Sequence, residues 1–175
     1  MSDFILSQWL IVIAMIADLV SFQFKRKSKI VSCLCFSGVI ISCHFALLEQ
    51  WTAALLMLLA AFRYFVTIFS HSKRLLVFFL LLNTLAMMFT FSGGLSLLSF
   101  AGSTVQTIAA FCQHDRQLRQ LMLFGTSIWL INNILVDSPA AIVMELLFIG
   151  SNLIGYCRHY NFPLTSTSLK SMVFK

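Results

Sequence analysis

The run LLVFFLLLNTLAMMFTF fills residues 75–91 and contains no charged side chain. Lys73 and Arg74 precede this run, and a Ser-Gly-Gly sequence follows it at 92–94. A helix needs about 20 apolar residues to cross a hydrocarbon core that is about 30 Å thick. The run is therefore typical of a transmembrane helix, and the two glycines predict a tight turn at its end.

Three similar apolar runs precede this stretch and three follow it. They occupy residues 4–24, 30–48, 51–70, 95–112, 121–136 and 140–157. Of the 175 residues, 59% are hydrophobic and 10% are charged, whereas soluble domains carry about 25% charged residues. The sequence therefore predicts an all-α polytopic membrane protein with seven transmembrane helices and the lipid bilayer as its solvent.

The basic residues predict how the chain is inserted in the membrane. Eleven of them fall on one side of a seven-span arrangement: Lys25, Arg26, Lys27, Lys29, Lys73, Arg74, Arg116, Arg119, Arg158, Lys170 and Lys175. Because cytoplasmic loops are enriched in Lys and Arg, we expect the amino terminus outside the cytoplasm and the carboxyl terminus inside. The net charge of +6 is divided among short loops, so nucleic acid is not an expected partner.

An internal repeat relates the first three runs to the last three. At an offset of 87 residues, AALLM at 53–57 aligns with AAIVM at 140–144, and Gly38 aligns with Gly125. This pattern predicts two parallel three-helix bundles joined by a linker helix, a 3+1+3 arrangement. The expected boundaries are 1–74 for the first bundle, 75–94 for the linker helix and turn, 95–160 for the second bundle, and 161–175 for a polar cytoplasmic tail.

Four ionisable side chains lie inside the predicted spans: Asp18, His44, Arg63 and Glu145. A charge at the bilayer centre costs about 3 kcal/mol or more unless it meets a partner or water. At about 1.5 Å of rise per residue, Asp18 and Arg63 lie at the same depth. We therefore predict an intramembrane ion pair between these two residues, which either fixes helix packing or contacts a ligand.

A second group of polar residues lies nearer the outer ends of the spans. His44, Trp129, Asn132 and Glu145 all fall within about 10 Å of those ends, and Asn133 is adjacent. An indole face, amides and one acid are suited to a small polar solute. We predict that they converge on an outward-opening cavity between the bundles, although a hydrogen bond from His44 to a neighbouring helix is an equally good interpretation.

The fifth run carries polar residues at helical spacing. Ser96, Ser99, Ser103 and Gln106 fall on one face, which we expect to avoid lipid. Interhelical hydrogen bonds and the lining of a solute pathway both account for this face.

The sequence contains no metal-ligand spacing, phosphate-binding loop or catalytic pair. We therefore expect no enzyme activity, no catalytic residue, no cofactor and no metal. Five cysteines lie within or beside the apolar runs, where an odd number predicts free thiols.

Residues in the second, third, sixth and seventh runs match the pattern of a known family. They are His44, Phe45, Arg63, Trp129, Asn133, Glu145, Asn152 and Arg158. On these residues the chain resembles the YgjV family of bacterial inner membrane proteins, and this resemblance adds Asn152 to the candidate substrate-binding residues. Asp18 is not part of that pattern. The 3+1+3 layout is also similar to that of the SWEET, PQ-loop and PnuC carriers, in which two parallel bundles enclose a substrate site.

These observations together predict a facilitator or carrier of a small polar solute in a bacterial inner membrane. The candidate substrate-binding residues are His44, Trp129, Asn132, Asn133, Glu145 and Asn152. A sensor or partner-binding membrane protein that does not transport is the alternative, and assembly as a homo-oligomer is left open.

Overall fold

The computed structural model of the chain describes residues 2–21, 27–70, 72–112 and 114–156. Within these ranges the chain forms seven α-helices and no strand, as expected for an all-α fold. The helices are α1 (Asp3–Ser21), α2 (Lys27–Leu47), α3 (Trp51–Thr67), α4 (Lys73–Thr90), α5 (Gly94–Ala110), α6 (Asp115–Leu135) and α7 (Pro139–Tyr156). Arg158 and the tail 161–175 lie outside the described residues.

Helices α2 and α6 end in the same type of turn. After α2 the Gln50 N–H donates to the Phe45 carbonyl across 2.9 Å, and Glu49 has a φ of 58°. After α6 the corresponding bond is 3.0 Å long, and Asp137 has a φ of 56°. A left-handed residue with this bond is the Schellman motif, which satisfies carbonyl groups at a helix end.

The predicted turn between the fourth and fifth runs is also present. Helix α4 ends at Thr90 and α5 begins at Gly94. Gly93 between them has a φ of 119°, which glycine adopts without the steric cost of a Cβ atom. The Ser-Gly-Gly sequence therefore sets the connection between these helices.

Six helices form a ring of neighbours, in which α1 contacts α2, α2 contacts α3, α3 contacts α5, α5 contacts α6, α6 contacts α7, and α7 contacts α1. We call these six the ring helices. Helix α4 packs on α3 and α5 and lies outside the ring. Helices α1 and α3 are not among the principal contacting pairs of the described chain, although they are separated by one helix in sequence.

A packed apolar layer fills one half of the ring, where α2 and α6 end and α3 and α7 begin. We call it the core layer, and its buried members are Ile11, Ala14, Ile41, Phe45, Ala53, Ala54, Trp129, Ala141 and Met144. The rings of Phe45 and Trp129 lie 5.5 Å apart, centroid to centroid. This layer separates the two ends of the molecule.

The outer surface carries many large apolar side chains. On α4, for example, Leu81 is 58% exposed, Met88 73% and Phe89 84%. Soluble monomers rarely expose continuous apolar surface of this kind, whereas the hydrocarbon of a bilayer covers it without cost. The surface is thus suited to lipid.

Length and composition identify one helix of the described chain as able to cross a membrane alone. This helix is α4, with a mean hydropathy of 1.5 over 18 residues. The segments Ser32–Leu47, Trp51–Thr67 and Pro139–Ile154 are apolar but shorter. The crossing of the bilayer by all seven helices therefore stays a prediction.

Candidate functional site

A cavity of about 410 Å³ lies between the ring helices. Each ring helix contributes to its wall, and α4 contributes no residue. The wall residues lie toward the carboxyl ends of α1, α3, α5 and α7 and toward the amino ends of α2 and α6. The cavity therefore lies mainly in the half of the ring opposite the core layer, which it meets at Ile41 and Met144.

Two carboxyl groups face this cavity. Asp18 on α1 and Glu145 on α7 both line its wall, and each is only 4% exposed. Ser37 on α2 lies within hydrogen-bonding reach of Asp18. The two carboxyl groups are near enough to interact electrostatically, so they repel each other when both are ionised.

The rest of the wall combines polar and apolar side chains. Its polar members are Ser37, Tyr64, Gln106, Arg119, Thr126, Ser151 and Asn152, and its larger apolar members are Leu34, Ile41, Met57, Leu118, Met122, Met144 and Phe148. The Asn152 side chain donates to the Arg119 carbonyl across 3.0 Å. A few polar groups in a mainly apolar cavity are typical of small-molecule sites.

His44 lies away from the cavity, in a hydrogen-bonded network near the opposite end of the ring. Its Nδ1 donates to the Ser7 carbonyl on α1 across 2.9 Å, and its Nε2 lies 3.4 Å from the Ser138 hydroxyl. Gln8 joins the same network, since its Nε2 donates to Ser138 across 3.2 Å and its Oε1 accepts from the Ala140 N–H across 3.1 Å. The structure thus favours the interhelical interpretation of His44.

Trp129, Asn132 and Asn133 are buried in or beside the core layer. The Ser99 hydroxyl of α5 donates to the Asn132 Oδ1 across 3.1 Å. Trp129 packs on Gly102 of α5, where an added Cβ would lie 3.0 Å from the indole. These contacts join α6 to α5, and the three side chains are at most 1% exposed.

The six candidate substrate-binding residues therefore separate into two groups. Glu145 and Asn152 line the cavity, whereas His44, Trp129, Asn132 and Asn133 do not. Glu145 lines this cavity while His44, Trp129 and Asn132 do not, so the structure does not show the predicted convergence of these four residues at the outer ends of the spans. Depth along a helix fixes a level and not the direction of a side chain. The aromatic core layer fills the space that was predicted to be open.

Arg63 has a different neighbour from the predicted one. Its Nη1 donates to the Thr107 hydroxyl on α5, which also accepts from Asn83 of α4 across 3.1 Å. Its guanidinium lies 5.2 Å from the Tyr64 ring centroid. The predicted ion pair between Arg63 and Asp18 is thus not among the contacts of Arg63. The reason is the helix packing, since α3 packs against α2, α4 and α5, whereas α1 packs against α2 and α7.

The polar face of α5 serves mainly to join helices. Thr52 of α3 donates to Ser96 across 2.9 Å, and Asn83 of α4 donates to Ser103 across 3.3 Å. Gln106 alone among the four predicted residues of this face lines the cavity. Of the two explanations for this face, interhelical bonding therefore accounts for most of it.

Sequence reasoning missed several wall residues, chiefly Ser37, Tyr64, Thr126 and Ser151. Their side chains are common in packed helices, so composition gives no signal for them. A usable signal was Asp18, an acid in an apolar run that needs a polar surrounding. Its position on α1, together with Glu145 on α7, marks the wall.

The family model of the YgjV type of bacterial inner membrane protein matches residues 5–162. The chain belongs to this family. A relative of this YgjV-family protein is "Inner membrane protein YgjV" of Escherichia coli (strain K12), 28% identical over 161 residues, which are 90% of this chain and 88% of that protein. No solved structure matches. Membership places the YgjV-family protein in the bacterial inner membrane, while the sides on which its termini lie stay a prediction.

Proposed function

We propose that this protein is a carrier or facilitator of a small polar solute and that the cavity between the ring helices is its binding site. The observation that carries the proposal is that all six ring helices line one cavity with two buried carboxyl groups. The core layer closes the other half of the ring. A site closed on one side is typical of a carrier in one of its two conformations.

A 3+1+3 division into two parallel bundles supports this proposal. Helices α2 and α6 each contain 21 residues and begin 88 residues apart, at Lys27 and Asp115. Both end in the same Schellman turn, with Glu49 and Asp137 in the left-handed conformation. The similarity of architecture to the SWEET group rests on this repeat, with α4 as the linker.

The contacts between the proposed bundles suggest where movement occurs. They meet at two seams, α3 with α5 and α1 with α7. At the first seam, Thr52 bonds to Ser96 and Arg63 to Thr107, so polar contacts hold both ends. At the second seam, the described hydrogen bonds involve Gln8 and lie beside the core layer. We infer that α1 and α7 separate at the cavity end while the α3–α5 seam acts as the hinge.

In the predicted orientation, the cavity faces the cytoplasm. The helix ends around it precede or follow the basic residues, including Lys73, Arg74 and Arg116, which favour the cytoplasmic side. The structure then corresponds to an inward-facing conformation.

Uptake into proteoliposomes tests the proposal. The full chain is reconstituted and offered radiolabelled cationic, neutral and anionic solutes, and saturable uptake is expected for one class. Ala60→Phe places a ring in the cavity wall, where Ala60 is buried, and should abolish uptake. Leu58→Phe is the control, because Leu58 lies on the same helix but is 46% exposed.

Failure of uptake for every solute class, with a folded protein in the vesicles, contradicts the carrier function. The same result would favour the sensor or partner-binding alternative. Equal uptake by the Ala60→Phe and Leu58→Phe proteins would instead indicate that the solute does not pass through the cavity.

A further inference from the structure

We propose that Arg63 binds a chloride ion where α3, α4 and α5 meet, at a site separate from the cavity. This inference goes beyond the proposed function and holds whether or not the protein transports a solute. Arg63 of α3 belongs here to a buried hydrogen-bonded group with Asn83 of α4 and with Ser103 and Thr107 of α5. We call these four residues the junction network.

Arg63 has no acidic partner within the described parts of the chain. Its interactions there are with the Thr107 hydroxyl and the Tyr64 ring, both of which are uncharged in their ordinary state. The six acidic residues of the sequence occupy other places: Asp18 and Glu145 line the cavity, Glu49 and Asp137 lie in the turns after α2 and α6, and Asp3 and Asp115 begin α1 and α6. None of the described side chains therefore balances the charge of Arg63.

The guanidinium of Arg63 is buried as well as unpaired. It is only 1% exposed, and a guanidinium does not lose its proton in proteins, so neutralisation does not relieve the cost of burial. The Tyr64 ring, 5.2 Å away, and the carboxyl ends of α3 and α5 offset only a small part of this cost, which is several times larger. A water molecule can accept hydrogen bonds from Arg63 but brings no negative charge. A bound anion supplies both.

The guanidinium presents two donors on one edge. Nε and Nη2 have no acceptor within the described chain, and their N–H groups lie along the same side of the planar group. The Thr107 hydroxyl cannot serve them, because it already accepts from Arg63 Nη1 and from Asn83 and donates to the Ser103 carbonyl. The Ser103 hydroxyl accepts from Asn83 across 3.3 Å and keeps its own proton to donate. The junction network thus offers more donors than acceptors, as an anion site requires.

The burial of the junction network selects a small anion. Its four members are at most 2% exposed, so a phosphate group, a lipid headgroup or a carboxylate solute cannot reach Arg63 without moving whole helices. A monoatomic halide needs far less room, and chloride is the halide of ordinary aqueous media. Arg63 lies about one turn before the end of α3 at Thr67, and Thr107 lies about one turn before the end of α5 at Ala110. The ion therefore crosses only about one helical turn to reach the site.

The bound chloride stabilises a contact between helices that are distant in the chain. Arg63 of α3 is joined to Thr107 of α5, which is joined in turn to Asn83 of α4. An anion on the free edge of Arg63 removes the cost of keeping the guanidinium at this junction. Chloride should therefore favour the packed arrangement of α3, α4 and α5.

Binding and thermal stability of the purified full chain test the inference with chloride itself as the probe. The protein is transferred to sodium gluconate, whose anion is too large for the site, and chloride is added at constant ionic strength. Equilibrium dialysis with radiolabelled chloride should show saturable binding of one ion per chain. The Tm should rise with chloride concentration and then level off, because an ion that binds only the folded state stabilises it.

Variants of Arg63 locate the site. Arg63→Met should weaken chloride binding by about thirtyfold or more and make the Tm independent of chloride, since loss of the guanidinium also removes the need for an anion. Arg63→Lys should retain part of the affinity, because the charge remains without the two-donor edge. Arg74→Met is the matched control, since Arg74 is an exposed basic residue at the start of α4, and it should bind chloride as the unchanged protein does.

The inference is overturned if the unchanged protein has the same Tm in chloride and gluconate and shows no saturable chloride binding. It is also overturned if Arg63→Met binds chloride as well as the unchanged protein, or if Arg74→Met loses binding to the same extent, which would indicate an adventitious ion only. If Arg63→Met does not fold, the dialysis of the unchanged protein and of Arg63→Lys decides. None of these results bears on uptake into proteoliposomes, so the carrier function stands or fails separately.

Discussion

Arg63 shows how a single buried residue depends on its neighbours. It is 1% exposed, and Nη1 bonds to Thr107, while Nε and Nη2 have no acceptor within the described chain. Thr107 does not depend on this bond, because its hydroxyl donates to the Ser103 carbonyl across 2.7 Å. Removing the guanidinium therefore leaves no essential partner without a bond.

We predict that Arg63→Met leaves thermal stability unchanged or raised. Replacing an incompletely satisfied buried charge by an apolar side chain is often neutral or stabilising by about 1–4 kcal/mol. Thr107→Val should instead destabilise by about 1–3 kcal/mol, because it leaves Nη1 unpartnered as well. Melting temperatures of the purified proteins test both expectations. A large decrease in the melting temperature of the Arg63→Met protein would indicate an acidic partner such as Asp18.

The approach of α2 to α3 gives a prediction at the scale of helices. A Cβ on Gly38 would lie 2.9 Å from the Ala61 Cβ, so Gly38→Ala should force the helices apart and destabilise by about 1–3 kcal/mol. Gly150→Ala on α7 is the control, because no neighbouring atom lies within 4 Å of its added Cβ. That change should stabilise by about 0.4–1 kcal/mol. Equal shifts of Tm in the two variants would contradict the close contact.

The direction of the helices gives a second prediction at this scale. Seven predicted spans with basic residues at alternate connections predict a carboxyl terminus in the cytoplasm. A carboxyl-terminal alkaline phosphatase fusion should therefore be inactive, and a green fluorescent protein fusion should fluoresce. The reverse pair of results would indicate the opposite orientation, in which the cavity faces the periplasm.

Movement of the bundles is a property of the whole molecule. Spin labels at residues 20 and 154 would report on the cavity end of the α1–α7 seam, since Val20 and Ile154 are exposed. In a cysteine-free background, a solute that is taken up in the proteoliposome assay should change the distance between them, because α1 and α7 are proposed to separate at this end. Labels at Leu6 and Val143, which are exposed near the amino ends of the same two helices, should keep their distance. Equal changes in both pairs, or none at residues 20 and 154, would contradict a hinge at the α3–α5 seam.

The candidate site was only partly predictable from the sequence. Glu145 and Asn152 line the observed cavity, but Glu145 was predicted in a cavity at the outer ends of the spans, and Asn152 became a candidate through the family resemblance alone. His44 is likewise an ionisable residue in an apolar span, but its hydrogen-bonding partners are Ser7 and Ser138. An ionisable residue in a span thus predicts a polar environment, and several kinds of environment meet that need.

The sequence by itself determined the seven helices of the described chain. Apolar runs of nearly the length of a bilayer set the elements, and Gly93 set the turn between α4 and α5, because these are local properties of composition and backbone. Only the tertiary structure decided which faces meet. Depth along a span put Asp18 beside Arg63, but the order of the ring put Asp18 beside Glu145 instead, because rotation about a helix axis and the choice of neighbours depend on packing between residues far apart in the chain.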